Sequence, residues 1–212
     1  MTLAFDELFS VRDAFRDVPM AGRTDAGILA AAVAAAGIRA DAPELARFPH
    51  RYVHYLTQEL DKPGPRKGIM PGVRPLLDAL AARDDIYLAL LTGNYEGGAR
   101  LKLEYFDLWR YFRCGAFGDE APHRNGLVSK AVEAVAACGG PAFAAAHSVV
   151  IGDTPLDVAG AVFSGARSVA VATGSHSVEE LRATEADVVL QDLADTAEVL
   201  RVIADLGLRT AD

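Results

Sequence analysis

The chain has 212 residues, about half of them apolar and 24% charged, with a formal net charge of −8; this suffices for one core, or for a core domain with a smaller accessory one. The composition excludes a disordered or fibrous chain, and an acidic balance without a Lys/Arg run argues against nucleic acid or an anionic membrane as the main partner, leaving a small anionic substrate open. The apolar run from Ala26 to Ile38 is too short to span a bilayer, and the start MTLAFDELFS carries acids where a secretory signal is basic and then apolar, so a cytoplasmic protein is expected.

From Met1 to about Leu60 the apolar period is helical throughout, with Ala4, Leu8, Val11 and Phe15 at i, i+4, i+7 and i+11. Thr24 suits the N-cap of an Ala-rich helix, Asp25 favours its positive end, and Gly37 suits its stop. A further helix is expected from Ala42 to Leu60. On it His50 and His54 share one face as zinc ligands can, but neither the Glu nor the third ligand follows, which predicts a solvated face. The segment Asp61 to Gly72, DKPGPRKGIMPG, is dense in Pro, Gly and basic residues and reads as a connector. The organisation expected is a helical cap over residues 1–68 and an α/β core over residues 69–212.

Beyond the connector the texture alternates. Helix Val73 to Arg83 leads to strand Ile86 to Leu91, helix Gly97 to Leu103, strand Cys114 to Phe117, helix Leu127 to Cys138 and strand Ser148 to Ile151. Helix Leu156 to Ser164, strand Ser168 to Val171, helix Val178 to Thr184, strand Asp187 to Leu190 and a closing helix through Leu206 follow. Strands that are apolar along their length, each followed by a helix, predict a doubly wound parallel sheet covered on both faces, with ligands at the carboxyl ends of its strands. The aromatic run Tyr105, Phe106, Trp109, Tyr111 and Phe112 is expected as core under that sheet. Cys114 and Cys138, with no CxxC and no Cys/His grouping, are expected as two buried thiols.

Two strand ends carry chemistry. The first ends in Thr92-Gly93-Asn94: a hydroxyl and a Gly at the opening of a helix offer a phosphate one side-chain donor and main-chain N–H groups, though a plain N-cap looks the same. The second ends in Gly152-Asp153-Thr154-Pro155-Leu156-Asp157, two carboxylates in one first turn. Like charges so close raise each other's pKa unless a cation intervenes, and Mg²⁺ bound by one or two carboxylates with phosphate and water would relieve this. Neither an acidic cluster at a first strand nor a GxGxxG is present to suggest a receiver or dinucleotide-binding domain.

At these motifs the chain resembles the haloacid dehalogenase (HAD)-like hydrolases, mostly magnesium-dependent phosphatases. LALLTGN is similar to the family's second motif, whose Thr, here Thr92, binds the phosphoryl group with Gly93 and Asn94. IGDTPLD is similar to the GDxxxD motif, which implies Asp153 as a Mg²⁺ ligand and Asp157 as support for the metal's water shell and a nearby basic residue. PGVRPLLDAL resembles the helix by which such chains re-enter the core after a cap. The family's basic residue is assigned to Arg124 in HRNGLV, with Lys102 as the alternative; Lys62-Pro63-Gly64-Pro65 stands on the wrong side of Thr92 and is read as linker. Arg23, in Gly22-Arg23-Thr24-Asp25, is a candidate for substrate selection from the cap. The resemblance implies hydrolysis of a small phosphorylated metabolite with Mg²⁺ as cofactor. It also implies an apolar strand ending in DxDGT, whose first Asp attacks phosphorus and whose second is general acid and base. That strand is not recognisable in the sequence: Asp6 stands on a helical period with Leu8 at the second position. The expectation is a sheet without its first strand, with edges beside the site that need covering, and doubtful turnover by this chain.

Overall fold

The computed structural model describes residues 1–64, 67–119 and 123–207. Pro65 and Arg66, in the expected connector, lie outside the described residues. Three helices come first: α1 (Thr2–Phe9), α2 (Asp25–Ala35) and α3 (Phe48–Leu60). The Thr24 hydroxyl accepts from Gly27 N–H at 3.1 Å and caps α2, and Gly37 ends it at φ 67°. The helical period expected through Phe15 breaks at Phe9, because Ser10 and Asp13 take left-handed backbone and turn the chain. Phe15 still reaches the cluster around Phe5 and Phe48, so the spacing reported burial without reporting a helix. The helix expected from Ala42 divides into a 3-10 turn, Pro43–Arg47, and α3, with His50 and His54 exposed as expected.

An aromatic chain organises this part. Phe5 packs edge-on against Phe15 at 5.4 Å and against Phe48 at 6.2 Å; Phe48 and Tyr52 then meet Tyr95, at 6.5 and 6.2 Å. Tyr95 belongs to the loop after the first strand, so the helical part is keyed to the α/β part at the start of the next helix.

The α/β part runs α4 (Val73–Ala81), β1 (Leu90–Leu91), α5 (Glu96–Tyr105), β2 (Gly115–Ala116), α6 (Leu127–Ala137), β3 (Val149–Gly152), α7 (Pro155–Ser164), β4 (Arg167–Val171), α8 (Val178–Arg182), β5 (Val188–Leu190) and α9 (Thr196–Gly207). All pairings are parallel, with Leu91 opposite Ala116, Ile151 opposite Val169 and Val169 opposite Val188. Along β4, Val169 and Val171 face Leu76 and Leu80 of α4 and Val199 of α9, while Ala170 faces Val158 of α7 and Leu181 of α8. This alternation is what a strand covered on both faces requires.

The parallel α/β architecture is as expected, and among the described residues its strands are divided into two ladders, β1-β2 and β3-β4-β5. Each of β1 and β3 keeps one edge with no strand partner among the described residues. The strand expected over Ile86 to Leu91 is paired only at Leu90–Leu91, since its partner leaves the 3-10 turn Trp109–Tyr111 and runs alongside only briefly. Leu91 and Val150 nevertheless pack on the same Val128, Ala161 and Ala166 of α6, α7 and the turn beyond, which holds both sheets against one helical layer. The aromatic run is also less buried than expected: Trp109 stacks on Phe117 at 6.2 Å, but Tyr105 is 45% exposed, under the Lys67 ammonium. Cys114 is half-buried and Cys138 exposed, so only part of the buried-thiol expectation survives.

Gly72, before α4, has φ 78°, and a Cβ there would stand 1.7 Å from the Leu193 carbonyl oxygen, whereas a Cβ at Gly37 would meet nothing within 4 Å. Both Ala variants bear left-handed strain, and only Gly72→Ala adds a clash. We expect Gly37→Ala to cost about 1 kcal/mol and Gly72→Ala about 3 kcal/mol or more in urea unfolding.

Candidate active site

Five of the residues singled out from sequence line one cavity of about 500 Å³ between the helical part and the strand ends: Arg23, Gly93, Asn94, Lys102 and Arg124. Met20, Ile28, Tyr52 and Leu56 form its apolar side. Thr92 and Asp157 stand behind this lining, and Asp153 lies at the neighbouring strand end.

The loop after β1 is held in shape by its own polar groups. Thr92 N–H donates to the Ala116 carbonyl at 3.1 Å and extends the β1-β2 ladder by one bond. Its hydroxyl oxygen accepts from Asn94 N–H at 3.2 Å and from the Asn94 amide at 3.0 Å, which leaves the hydroxyl proton free to donate. Gly93 is buried, and its N–H has no acceptor among the described residues. Gly118 N–H binds the Asn94 carbonyl at 2.8 Å, and a Cβ on Gly93 would come within 2.4 Å of the Arg23 carbonyl oxygen. Only glycine lets the turn before α2 pass so close to this loop.

Arg124 brings positive charge to the same place. Its Nε and Nη2 both donate to Asp157 Oδ1, the former at 2.9 Å, and its Nη1 lies 3.5 Å from the Gly22 carbonyl. A Cβ on Gly93 would stand 3.2 Å from that Nη1, so the guanidinium and the Gly93 backbone are neighbours. Asp157 is 4% exposed, and its other oxygen accepts from Thr154 N–H at 3.0 Å and from the Thr154 hydroxyl at 2.8 Å. Every side of this carboxylate is occupied by protein donors. It fixes Arg124 and the first turn of α7 and has no lone pair directed at a metal.

Asp153 differs. It is half-buried, and no described residue gives it a hydrogen bond or an ion pair. Its Oδ2 would be 2.1 Å from a Cβ on Gly174, so the carboxylate lies along main chain beyond β4. No group of three or more His, Cys, Asp or Glu gathers among the described residues. A metal here would therefore take Asp153 together with water and substrate oxygens, a donor set that suits Mg²⁺.

The structure adds one residue that sequence reading took only for a helix-end acid. Asp25, 7% exposed, accepts from Tyr95 N–H at 2.9 Å, and its own N–H donates to the Gly93 carbonyl at 2.6 Å. Burial pushes the Asp25 carboxyl above the ordinary carboxylate range, and partial burial of Lys102 pushes its ammonium below the ordinary lysine range; their mutual attraction opposes both shifts without overcoming them. Lys102 donates to the Asn94 side-chain oxygen, so it braces the loop rather than replacing Arg124 beside Gly93.

Comparison with known proteins follows the same lines. A HAD-hydrolase-like family model matches residues 124–196. A phosphoglycolate phosphatase of Rhodospirillum rubrum is 32% identical over 208 residues, which cover 94% of this chain and 80% of that protein. A probable phosphatase, IndB, of Dickeya dadantii is 26% identical over 66% of this chain; there the match spans only 59% of the relative's length. Among solved structures, a β-phosphoglucomutase of Clostridium difficile aligns with a TM-score of 0.65 at 13% identity, covering 98% of this chain and 91% of that one. No helix among the described residues is long and apolar enough to cross a membrane.

The two carboxylates of the GDxxxD segment should separate cleanly in unfolding experiments. Removing Asp157 strands a largely buried guanidinium, so Asp157→Ala is expected to cost about 3 kcal/mol or more, whereas Asp153→Ala, which breaks no hydrogen bond or ion pair with a described residue, should change stability by less than about 1 kcal/mol.

Proposed function

The chain belongs to the HAD-like hydrolase family, and from that premise we propose that the cavity takes the phosphoryl group of a small phosphorylated metabolite for Mg²⁺-assisted hydrolysis of the monoester. The observation that carries this reading is the convergence of a free Gly93 N–H, a Thr92 hydroxyl with its proton to give and the Arg124 guanidinium at one strand end. Such donors, held before the anion arrives, suit the charge of a phosphoryl group in both its ground and transition states. Arg124 is held by Asp157, which keeps the cation in place when the cavity is empty. Asp153 would hold Mg²⁺, which when bound neutralises phosphoryl oxygens and orients them for in-line attack.

The leaving group would face Met20, Ile28, Tyr52 and Leu56, with Arg23 and Lys102 as the cations within reach. Arg23 is exposed and free to turn toward a substrate carboxylate, while Lys102 is already engaged by Asn94. The Rhodospirillum rubrum relative is named for phosphoglycolate, which makes that compound the first substrate to assay.

A second reading, a phosphate- or partner-binding protein without turnover, is favoured by the state of the carboxylates. Asp25 and Asp157 are committed to protein donors, Asp153 is the metal candidate, and Asp6 lies in α1 outside the cavity lining. None is left in the described cavity to attack phosphorus.

Two measurements divide these readings. Calorimetry should show weak Mg²⁺ binding that Asp153→Asn weakens further; Asp157→Asn should weaken it less, because it acts through neighbours, an effect typically of about 10–100-fold. Equal affinity in the wild type and Asp153→Asn would remove the metal role. With p-nitrophenyl phosphate, the 212-residue chain is expected to turn over near background and to gain activity when an apolar strand ending in DxDGT is joined ahead of Met1. Robust turnover abolished by Asp6→Asn would make Asp6 the nucleophile; turnover that survives Asp6→Asn but not Asp153→Asn would point to metal-activated water.

A further inference from the structure

A carboxylate lining an anion cavity is unfavourable by charge alone, so Asp25 needs a reason to be there. It is buried and neighbours Lys102, and it is bound twice to the loop that carries Thr92. The two bonds run in opposite senses. Asp25 N–H, in the first turn of α2, donates to the Gly93 carbonyl at 2.6 Å, and the Asp25 carboxylate accepts from Tyr95 N–H at 2.9 Å. Between these anchors lies Asn94, whose side chain is held by Thr92 and Lys102 and whose carbonyl is held by Gly118. Fixing the Gly93 carbonyl from the α2 side sets the plane of the peptide that follows it, and fixing Tyr95 N–H sets the far end of the turn. Gly93, which lines the cavity, is thereby held in place, with the Thr92 hydroxyl directly behind it.

We propose that Asp25 is a positioning residue for anion binding: from the first turn of α2 it holds the Thr92–Tyr95 loop in the shape that presents the Gly93 N–H and the Thr92 hydroxyl to a phosphoryl group. This rests on the cavity being a phosphate site, as read above. Asp25 touches no reacting atom in this role and acts through hydrogen bonds rather than through its charge. Its neighbours Lys102 and Tyr95 keep the carboxylate from facing the anion uncompensated.

The charge and the hydrogen bond predict opposite results, which makes the test decisive. Inorganic phosphate is titrated into the full chain by calorimetry, with thermal unfolding of each variant as the control for folding. Asp25→Asn keeps an oxygen to accept from Tyr95 N–H and removes the negative charge; its affinity should equal or exceed that of the wild type. Asp25→Ala removes both and should bind about tenfold more weakly, the size of one lost hydrogen bond to a charged group. Equal or tighter binding by Asp25→Ala would mean that Asp25 acts only as a repelling charge, and would overturn the proposal. An equal loss in both variants would overturn it too, by assigning the effect to the charge. Should Asp25→Ala fail to fold, Asp25→Asn alone decides, since weakened binding in that folded variant is fatal.

Hydrogen exchange at Tyr95 N–H, faster by about tenfold in Asp25→Ala than in Asp25→Asn, reads the same bond without phosphate. Unchanged exchange would overturn the positioning role whatever the titration gives. If the wild type binds no phosphate, the reading of the cavity falls and takes anion positioning with it. Exchange then still reports whether Asp25 holds the loop.

Discussion

The ion pair between Arg124 and Asp157 is the constraint on which the rest of this arrangement depends. The two parallel sheets share no ladder among the described residues, so contacts between the elements that follow them must bring their strand ends together. Arg124 opens the helix after β2, and Asp157 lies in the first turn after β3; their side chains are only 16% and 3% exposed. A pair so buried repays its desolvation only when its remaining donors and acceptors are met. Thr154 meets the second oxygen of Asp157, and the Gly22 carbonyl lies beside Arg124. The turn before α2, the β1 loop and the β3 loop thus converge on one guanidinium, and α6 and α7 supply the apolar support beneath it.

Much of this was legible in the sequence because local chemistry and position agreed. Thr24, Gly37 and Pro155 punctuate helices where their backbone preferences place them, and the apolar strands ended where the motifs began. The order of Thr92 and Asp153 along the chain was enough to suggest the family, which the comparisons show. Tertiary facts were not legible. Phe15 kept helical spacing while the backbone under it turned at Ser10, since burial periodicity records which side faces the core and not how the chain travels there. Asp25 looked like an acid complementing a helix end, and nothing near it in sequence names Tyr95, 70 positions away. The strand read from Ile86 onward is extended chain with little pairing, because pairing belongs to a partner that apolar pattern cannot reveal.

The three aspartates around the site show how environment divides one side chain among different tasks. Asp157 is saturated by donors and serves as a fixed counter-charge. Asp25 is buried with a single N–H donor and a lysine nearby, so its anionic form is costly and its shape matters more than its charge. Asp153 has no hydrogen-bond or ion-pair partner among the described residues, and its lone pairs stay open. Residue type alone would have ranked the pair Asp153 and Asp157 as equivalent; the count of donors around each oxygen separates them.

The close approach of main chain at Gly93, Gly118 and the Arg23 carbonyl has a consequence for how this site could change over generations. In the proposed site the groups that would meet the phosphoryl oxygens are either peptide N–H, which no coding change alters directly, or side chains held by protein partners. The opposite wall, with Met20, Ile28 and Leu56, consists of apolar side chains that give the strand ends packing but no hydrogen bond. Exchanges there reshape the space for a leaving group and leave the donors undisturbed. Selection for a new substrate could therefore proceed on the helical wall one residue at a time, without passing through variants that have lost their grip on phosphate.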